Sequence, residues 1–196
     1  MGRDGLRAGR CAGALRPDAR RVEASHEAIL QPVAERFDER WRETKGEPFE
    51  FEGQLTHQLY RRQIEPGTLI HIEFLGSRAQ PPQGLELKTR GATLAWDEHR
   101  LEGQSVRLWA DKQDRATIRY VNPRKTAELA IWNIWLDERH GSHAYEPDHY
   151  EIVQAWWAWS AMRIEETADT LVLRCSGSYY GPDFTDLTAR ITFRRG

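Results

Sequence analysis

Residues 69–75 read LIHIEFL, and this stretch decides the fold class. On an extended chain Ile70, Ile72 and Phe74 fall on one side and Leu69, His71, Glu73 and Leu75 on the other. One face is therefore wholly apolar, while the other carries an acid and an imidazole. The same period of two runs outward in both directions. Upstream, Phe49 and Phe51 alternate with Glu50 and Glu52. Downstream, Leu85/Leu87 oppose Glu86/Lys88, and Val106/Leu108, Ala116/Ile118/Tyr120, Leu171/Leu173/Cys175 and Leu187/Ala189/Ile191/Phe193 are each interleaved with Arg, Thr or Glu. Turn residues such as Glu65–Pro66–Gly67 and Gln80–Gly84 (QPPQG) separate the runs. The spacing predicts roughly ten short strands, as in a sandwich or jelly roll.

Two runs depart from the half-polar pattern. Leu129–Leu136 (LAIWNIWL) is apolar on both faces and Ile152–Met162 (IVQAWWAWSAM) nearly so, which predicts central strands of a two-layer structure, or strands under a ligand or partner. On the first, Trp132 and Trp135 face opposite ways. On the second, taken as one strand, Trp157 and Trp159 share a face and Trp156 takes the other.

One helix precedes the strands. Ile29, Val33, Phe37 and Trp41 recur every four residues, with Leu30 and Ala34 alongside. The spacing predicts a helix over about residues 32–44, opened by Pro32, stopped by Gly46 and packed on a sheet. Its other face (Glu35, Arg36, Asp38, Glu39, Arg40, Arg42, Glu43) is expected in solvent. Strands do not alternate with helical patterns, so a parallel α/β sheet is not expected. The expectation is a mainly β protein: an antiparallel β-sandwich or jelly-roll-like domain, or an open barrel, with the N-terminal helix packed on it. It spans residues 22–196, after a disordered basic arm over residues 1–21.

That arm holds Arg3, Arg7, Arg10, Arg16, Arg20 and Arg21 against Asp4 and Asp18, so it carries +4 and the remainder −6 of a net charge of −2. A body of that sign repels phosphate backbones, and no nucleic-acid partner is expected. No run of eighteen apolar residues occurs, which predicts no membrane partner. Two cysteines, Cys11 in the arm and Cys175 in a strand-like run, are poor disulfide partners. A reducing, cytoplasmic location is the expectation.

Eight tryptophans are the compositional anomaly. Each indole buries about 150–250 Å². Trp156, Trp157 and Trp159 would crowd one small core, so part of the set is expected to line a groove for a small, partly apolar ligand, a glycan or a flat metabolite. Trp135, Trp157 and Trp159 are its expected walls, with Tyr179 and Tyr180 on a rim loop. The competing arrangement packs these rings in a large core, or buries them against a second copy or another protein.

His71 and Glu73 point the same way on one strand. A carboxylate beside an imidazole can hold its tautomer and raise its basicity, although such pairs are also ordinary features of sheet faces. His57 joins them if its strand forms a hairpin through Glu65–Pro66–Gly67. The loop Asp137–Tyr150 (DERHGSHAYEPDHY) offers His140, His143 and His149 as ligands of a divalent metal, with Glu146 or Glu73 as proton carrier. The spacing matches no recognised signature, and a polar connecting loop carries such histidines equally well. In Ser176–Asp186 (SGSYYGPDFTD), Asp183 and Asp186 suit either calcium or a plain turn. Neither a phosphate-binding glycine loop nor a Gly-x-Ser-x-Gly elbow is present. Three functional classes follow: a ligand-binding module, a metal-dependent enzyme, and an interaction or homo-oligomer module.

Overall fold

The structure, a computed structural model, describes residues 36–121, 126–139, 150–177 and 181–196. Along the chain a helix α1 (Phe37–Thr44) is followed by β1 (Phe49–Phe51), β2 (Gln54–Thr56), β3 (Tyr60–Ile64), β4 (Thr68–Ser77), β5 (Gln83–Thr89) and β6 (Leu94–Trp96). A 3-10 turn, Asp97–His99, leads to β7 (Leu101–Gly103), β8 (Ser105–Trp109), β9 (Arg115–Tyr120) and β10 (Ala127–Arg139). Then come β11 (Tyr150–Gln154), β12 (Ala161–Glu166), β13 (Thr170–Ser176) and β14 (Leu187–Arg195). The basic arm expected over residues 1–21 and Pro32 lie outside the described residues; the described helix begins at Phe37, after Arg36 in extended backbone, rather than continuing from about residue 32.

All strand pairs are antiparallel. The larger sheet has seven strands in the order β12-β13-β14-β4-β9-β6-β7, and the smaller has five, β11-β10-β5-β8 with β3 also on β10. The alternation works as the sequence requires. Ile70, Ile72, Ile118, Leu171, Leu173, Ala189 and Ile191 of the large sheet face Leu85, Leu87, Val106, Leu108, Leu129 and Ile131 of the small one within one apolar core. Each fully buried aliphatic side chain contributes about 1.5–3 kcal/mol relative to exposure. The layers are therefore held as a sandwich by the same period-two rows that the sequence displays.

β10 explains the doubly apolar run Leu129–Leu136. One edge of it pairs with β5 over residues 129–135, while the other pairs with β3 over 127–131 and with β11 over 135–139. A central strand flanked on both sides over most of its length has little solvated edge or face. The chain between β3 and β4 passes from the small sheet to the large one, because β3 pairs with β10 while β4 pairs with β14 and β9. The hairpin expected through Glu65–Pro66–Gly67 is thus not formed. His57 instead bridges β12 through paired backbone bonds with Met162, both 2.8 Å.

The helix ends as expected, with Lys45 in left-handed backbone (φ 55°) and the Gly46 N–H donating to the Trp41 carbonyl at 2.9 Å. It packs on strand residues: Phe37 and Trp41 share a second apolar cluster with Phe49 of β1 and Ala161 of β12, together with Ala158, Trp159 and Phe184. Asp38, expected in solvent, is buried and held by Arg36 Nε and Nη2, both at 3.0 Å. Burial of that carboxylate is tolerable only with the guanidinium beside it.

Candidate functional site

The run Ile152–Met162, expected as one strand, is broken. β11 ends at Gln154 in the small sheet, β12 begins at Ala161 in the large sheet, and residues 155–160 cross between them. Two residues in the crossing stand in left-handed backbone, Trp156 at φ 58° and Ala158 at φ 54°. Neither is glycine, and each such position costs about 1–3 kcal/mol unless its surroundings impose it.

The surroundings do impose it. Ala158 is buried and its carbonyl accepts the Asp38 N–H at 3.1 Å. Trp159 packs edge-on against Phe37, ring centroids 5.3 Å apart. The Ser160 carbonyl accepts the Trp41 indole N–H at 3.0 Å, and its hydroxyl bonds Asn133 Oδ1 at 3.3 Å. With Ala158, Trp159 and Ser160 drawn inward, Trp156 and Trp157 are turned outward, 39% and 42% exposed. Trp156 lies on Trp132, with centroids 5.3 Å apart and planes at 45°. Trp157 lies under the Arg36 guanidinium, 4.9 Å from the ring centroid.

Trp132 belongs to the outer face of the small sheet. Its rung is Trp132–Glu86–Arg107, and Arg107 Nε sits 3.0 Å from Glu86 Oε2. The next rung is Ile134–Gly84–Trp109. A Cβ on Gly84 would strike the Leu108 carbonyl oxygen and approach Trp109 Cε3 at 2.9 Å, so only glycine lets this part of the face close up. On this face Trp132 and Ile134 are buried and Trp109 is partly buried, with the Glu86–Arg107 pair at their side.

All eight tryptophans fall among the described residues, and their exposure corrects the expected walls of the groove. Trp135 is fully buried on the inner side of β10, and Trp159 is held in the cluster under α1. Neither presents a face to a ligand. Trp157 does, and Trp156, which alternation had placed on the other face, does too. The cause is the left-handed pair, which a period-two pattern cannot register.

His71 and Glu73 lie side by side on the outer face of the large sheet, without His57. His71 Nδ1 contacts Thr117 Oγ1 at 3.0 Å and Glu73 binds Arg190 at 2.9 Å, so the expected His–Glu couple is replaced by separate cross-strand partners. Asp183 and Asp186 both bind Arg78, through Nη2 and Nε at 3.0 Å each, so a guanidinium takes the carboxylates that calcium would need. Tyr179, Tyr180, His140, His143 and His149 lie outside the described residues. Among the described residues no three His, Cys, Asp or Glu side chains gather as a metal site requires, and no helix is long and apolar enough to cross a membrane.

One buried feature escaped the sequence reading. Asp186 is fully buried and accepts the Gly177 N–H at 2.9 Å. Gln83 Nε2 donates to the Gly177 carbonyl at 2.9 Å, and Asn133 Nδ2 to that of Ser176 at 2.7 Å, so polar side chains of the small sheet tie down the end of β13. Burial pushes the Asp186 carboxyl above its ordinary range, against the pull of the Gly177 N–H and Arg78. Asp183 is held below that range by the Thr185 hydroxyl and N–H. The available signal was Asn133, an amide inside an otherwise apolar strand.

Comparison with protein-family models, with curated proteins and with solved structures finds no match.

Proposed function

We infer that this β protein is a binding module for a flat, partly apolar small ligand, a sugar ring or a planar metabolite, received against the outward indoles of Trp156 and Trp157 with Trp132 behind. The observation that carries this reading is the backbone of Trp156. A bulky aromatic residue is held in a left-handed conformation by buried neighbours, and the result is an indole facing solvent. Glu86 and Arg107 in the rung of Trp132 supply a hydrogen-bond acceptor and donors beside an apolar ring face, the combination that fixes the orientation of a ring ligand.

The test is titration of intrinsic tryptophan fluorescence with glucose and N-acetylglucosamine oligomers and with planar heteroaromatic compounds. A saturable blue shift with one of these classes is expected. It should vanish in Trp156→Ala and in Trp157→Ala and survive in Trp96→Phe, whose indole is buried in the main core. No saturable response across the panel, or one that both variants retain, would end the proposal.

A further inference from the structure

The outer face of the large sheet carries an unusually regular pattern. Across β9–β4–β14 three successive rungs are Arg115–Glu73–Arg190, Thr117–His71–Thr192 and Arg119–Leu69–Arg194. The Cα atoms of four arginines thus mark the corners of a rectangle, about 10 Å across two strand spacings and about 13 Å along the strands, with His71 at its centre. Two opposite corners are neutralised: Arg190 by Glu73 at 2.9 Å, and Arg119 by Asp97 in a two-point contact of 3.0 and 2.7 Å. The other diagonal, Arg115 and Arg194, has no ion-pair partner among the described residues. Between them lies a groove of about 320 Å³, whose polar lining is Arg115, Arg190, Arg194, His71, Thr117 and Thr192 together with the carboxylates Glu73 and Glu98.

We propose that this groove is a second site, for a small metabolite carrying a phosphate or polycarboxylate group, gripped between Arg115 and Arg194 over His71. Guanidiniums lining one groove from opposite corners can present paired N–H donors to an oxyanion, a geometry that point charges on lysine do not offer. Thr117 Oγ1 engages Nδ1 of His71, and a hydroxyl proton given to Nδ1 places the ring hydrogen on Nε2, a further donor. Thr192 adds a hydroxyl from the opposite strand. Within the groove lining Arg115, Arg190 and Arg194 outnumber Glu73 and Glu98, whereas the chain as a whole carries −2. The local excess favours a small anion and not a long polyanion, which the acidic body would repel. The site lies on the other sheet from the tryptophan platform, so either can fail without the other.

The full chain is titrated with inorganic phosphate, glycerol phosphate and citrate while the His71 ring protons and the arginine Nε–H resonances are followed by NMR. A saturable shift of His71 is expected with phosphate compounds, with citrate, or with both, and the tighter arm names the class. Arg115→Gln and Arg194→Gln should each weaken it roughly tenfold or more, the size of one charge-assisted contact. Arg174→Gln, on the same sheet but paired with Glu165 at 3.1 Å, should leave it unchanged. These arginines are exposed, and unchanged melting of the variants keeps the comparison clean. No saturable shift in any arm, or equal weakening by all three variants, overturns the site, since the latter is the behaviour of a diffuse ion atmosphere.

Discussion

Trp156 rests on Trp132 at 5.3 Å although its own backbone stands at φ 58°. A favourable stack and an unfavourable conformation therefore coexist in one residue. The stack is worth about 0.5–1.5 kcal/mol beyond area burial, and the strain costs about 1–3 kcal/mol. Trp156→Gly removes both and should change stability by less than about 1 kcal/mol, whereas Trp156→Ala keeps the strained backbone and loses the stack. Glycine should thus be the more stable of the two by about 1 kcal/mol in chemical denaturation. Alanine equal to or better than glycine would show that the left-handed conformation is not present in solution.

A different balance governs the ion pair of Arg78 with Asp186. Deleting the cation strands a buried carboxylate, so Arg78→Ala should cost about 2–3 kcal/mol. That is below the usual loss for a buried pair, because the Arg78 side chain is 35% exposed. The pH dependence has a definite sign. The folded-state pKa of Asp186 is raised, so the folded chain holds this proton more tightly than the unfolded chain does. Its contribution to stability is fully present below the ordinary Asp value of 3.8 and is lost as pH rises through the raised pKa. The stability of the wild type minus that of Asp186→Asn should therefore improve on acidification from pH 7 toward 4. A difference that worsens over that range would reverse the assignment.

These two residue pairs also mark what a sequence can and cannot carry. The period-two rows through Ile70, Leu85, Ile118 and Ile191 are legible because burial on one side of a strand is a local rule. The doubly apolar β10 is legible for the same reason. The break at residues 155–160 is not, because Trp156 and Ala158 have no local reason to leave the β region. Their conformation is imposed by Phe37, Trp41 and Asn133, far away in the chain. The two-sheet crossing of β3 and β4 is hidden similarly: Pro66–Gly67 announces a turn, and only pairing decides between a hairpin and a crossover. The arginine rectangle is invisible until register aligns β9, β4 and β14, since no two of its corners but Arg115/Arg119 and Arg190/Arg194 are neighbours in sequence.

Cys175 offers a direct check on the core. Its thiol is fully buried, and burial, together with nearby Asp186, pushes its pKa far above the ordinary thiol value. In a Cys11→Ser background, which leaves Cys175 as the sole thiol, native protein should resist a disulfide reagent at pH 8, and reaction should become complete in denaturant. Labelling of native protein at the rate of a free thiol would contradict the burial of β13 between its neighbours.

The outer face of the small sheet is packed tightly around Gly84. At Gly84 an added methyl meets the Leu108 carbonyl, which is backbone held in the β5–β8 ladder and cannot rotate away. It also presses on Trp109 at 2.9 Å and Ile134 at 3.3 Å. Overpacking of this kind costs about 1–3 kcal/mol, so Gly84→Ala should lower stability by that amount and alter the near-ultraviolet circular dichroism through the displaced indole. Gly103→Ala serves as the control, because its nearest neighbour, the Ser105 carbonyl at 3.5 Å, is an ordinary contact. It should lie within about 0.5 kcal/mol of the parent. If both variants melt together, β5 and β8 do not approach as closely as the Gly84–Trp109 rung requires, and the platform that begins at Trp132 loses its support.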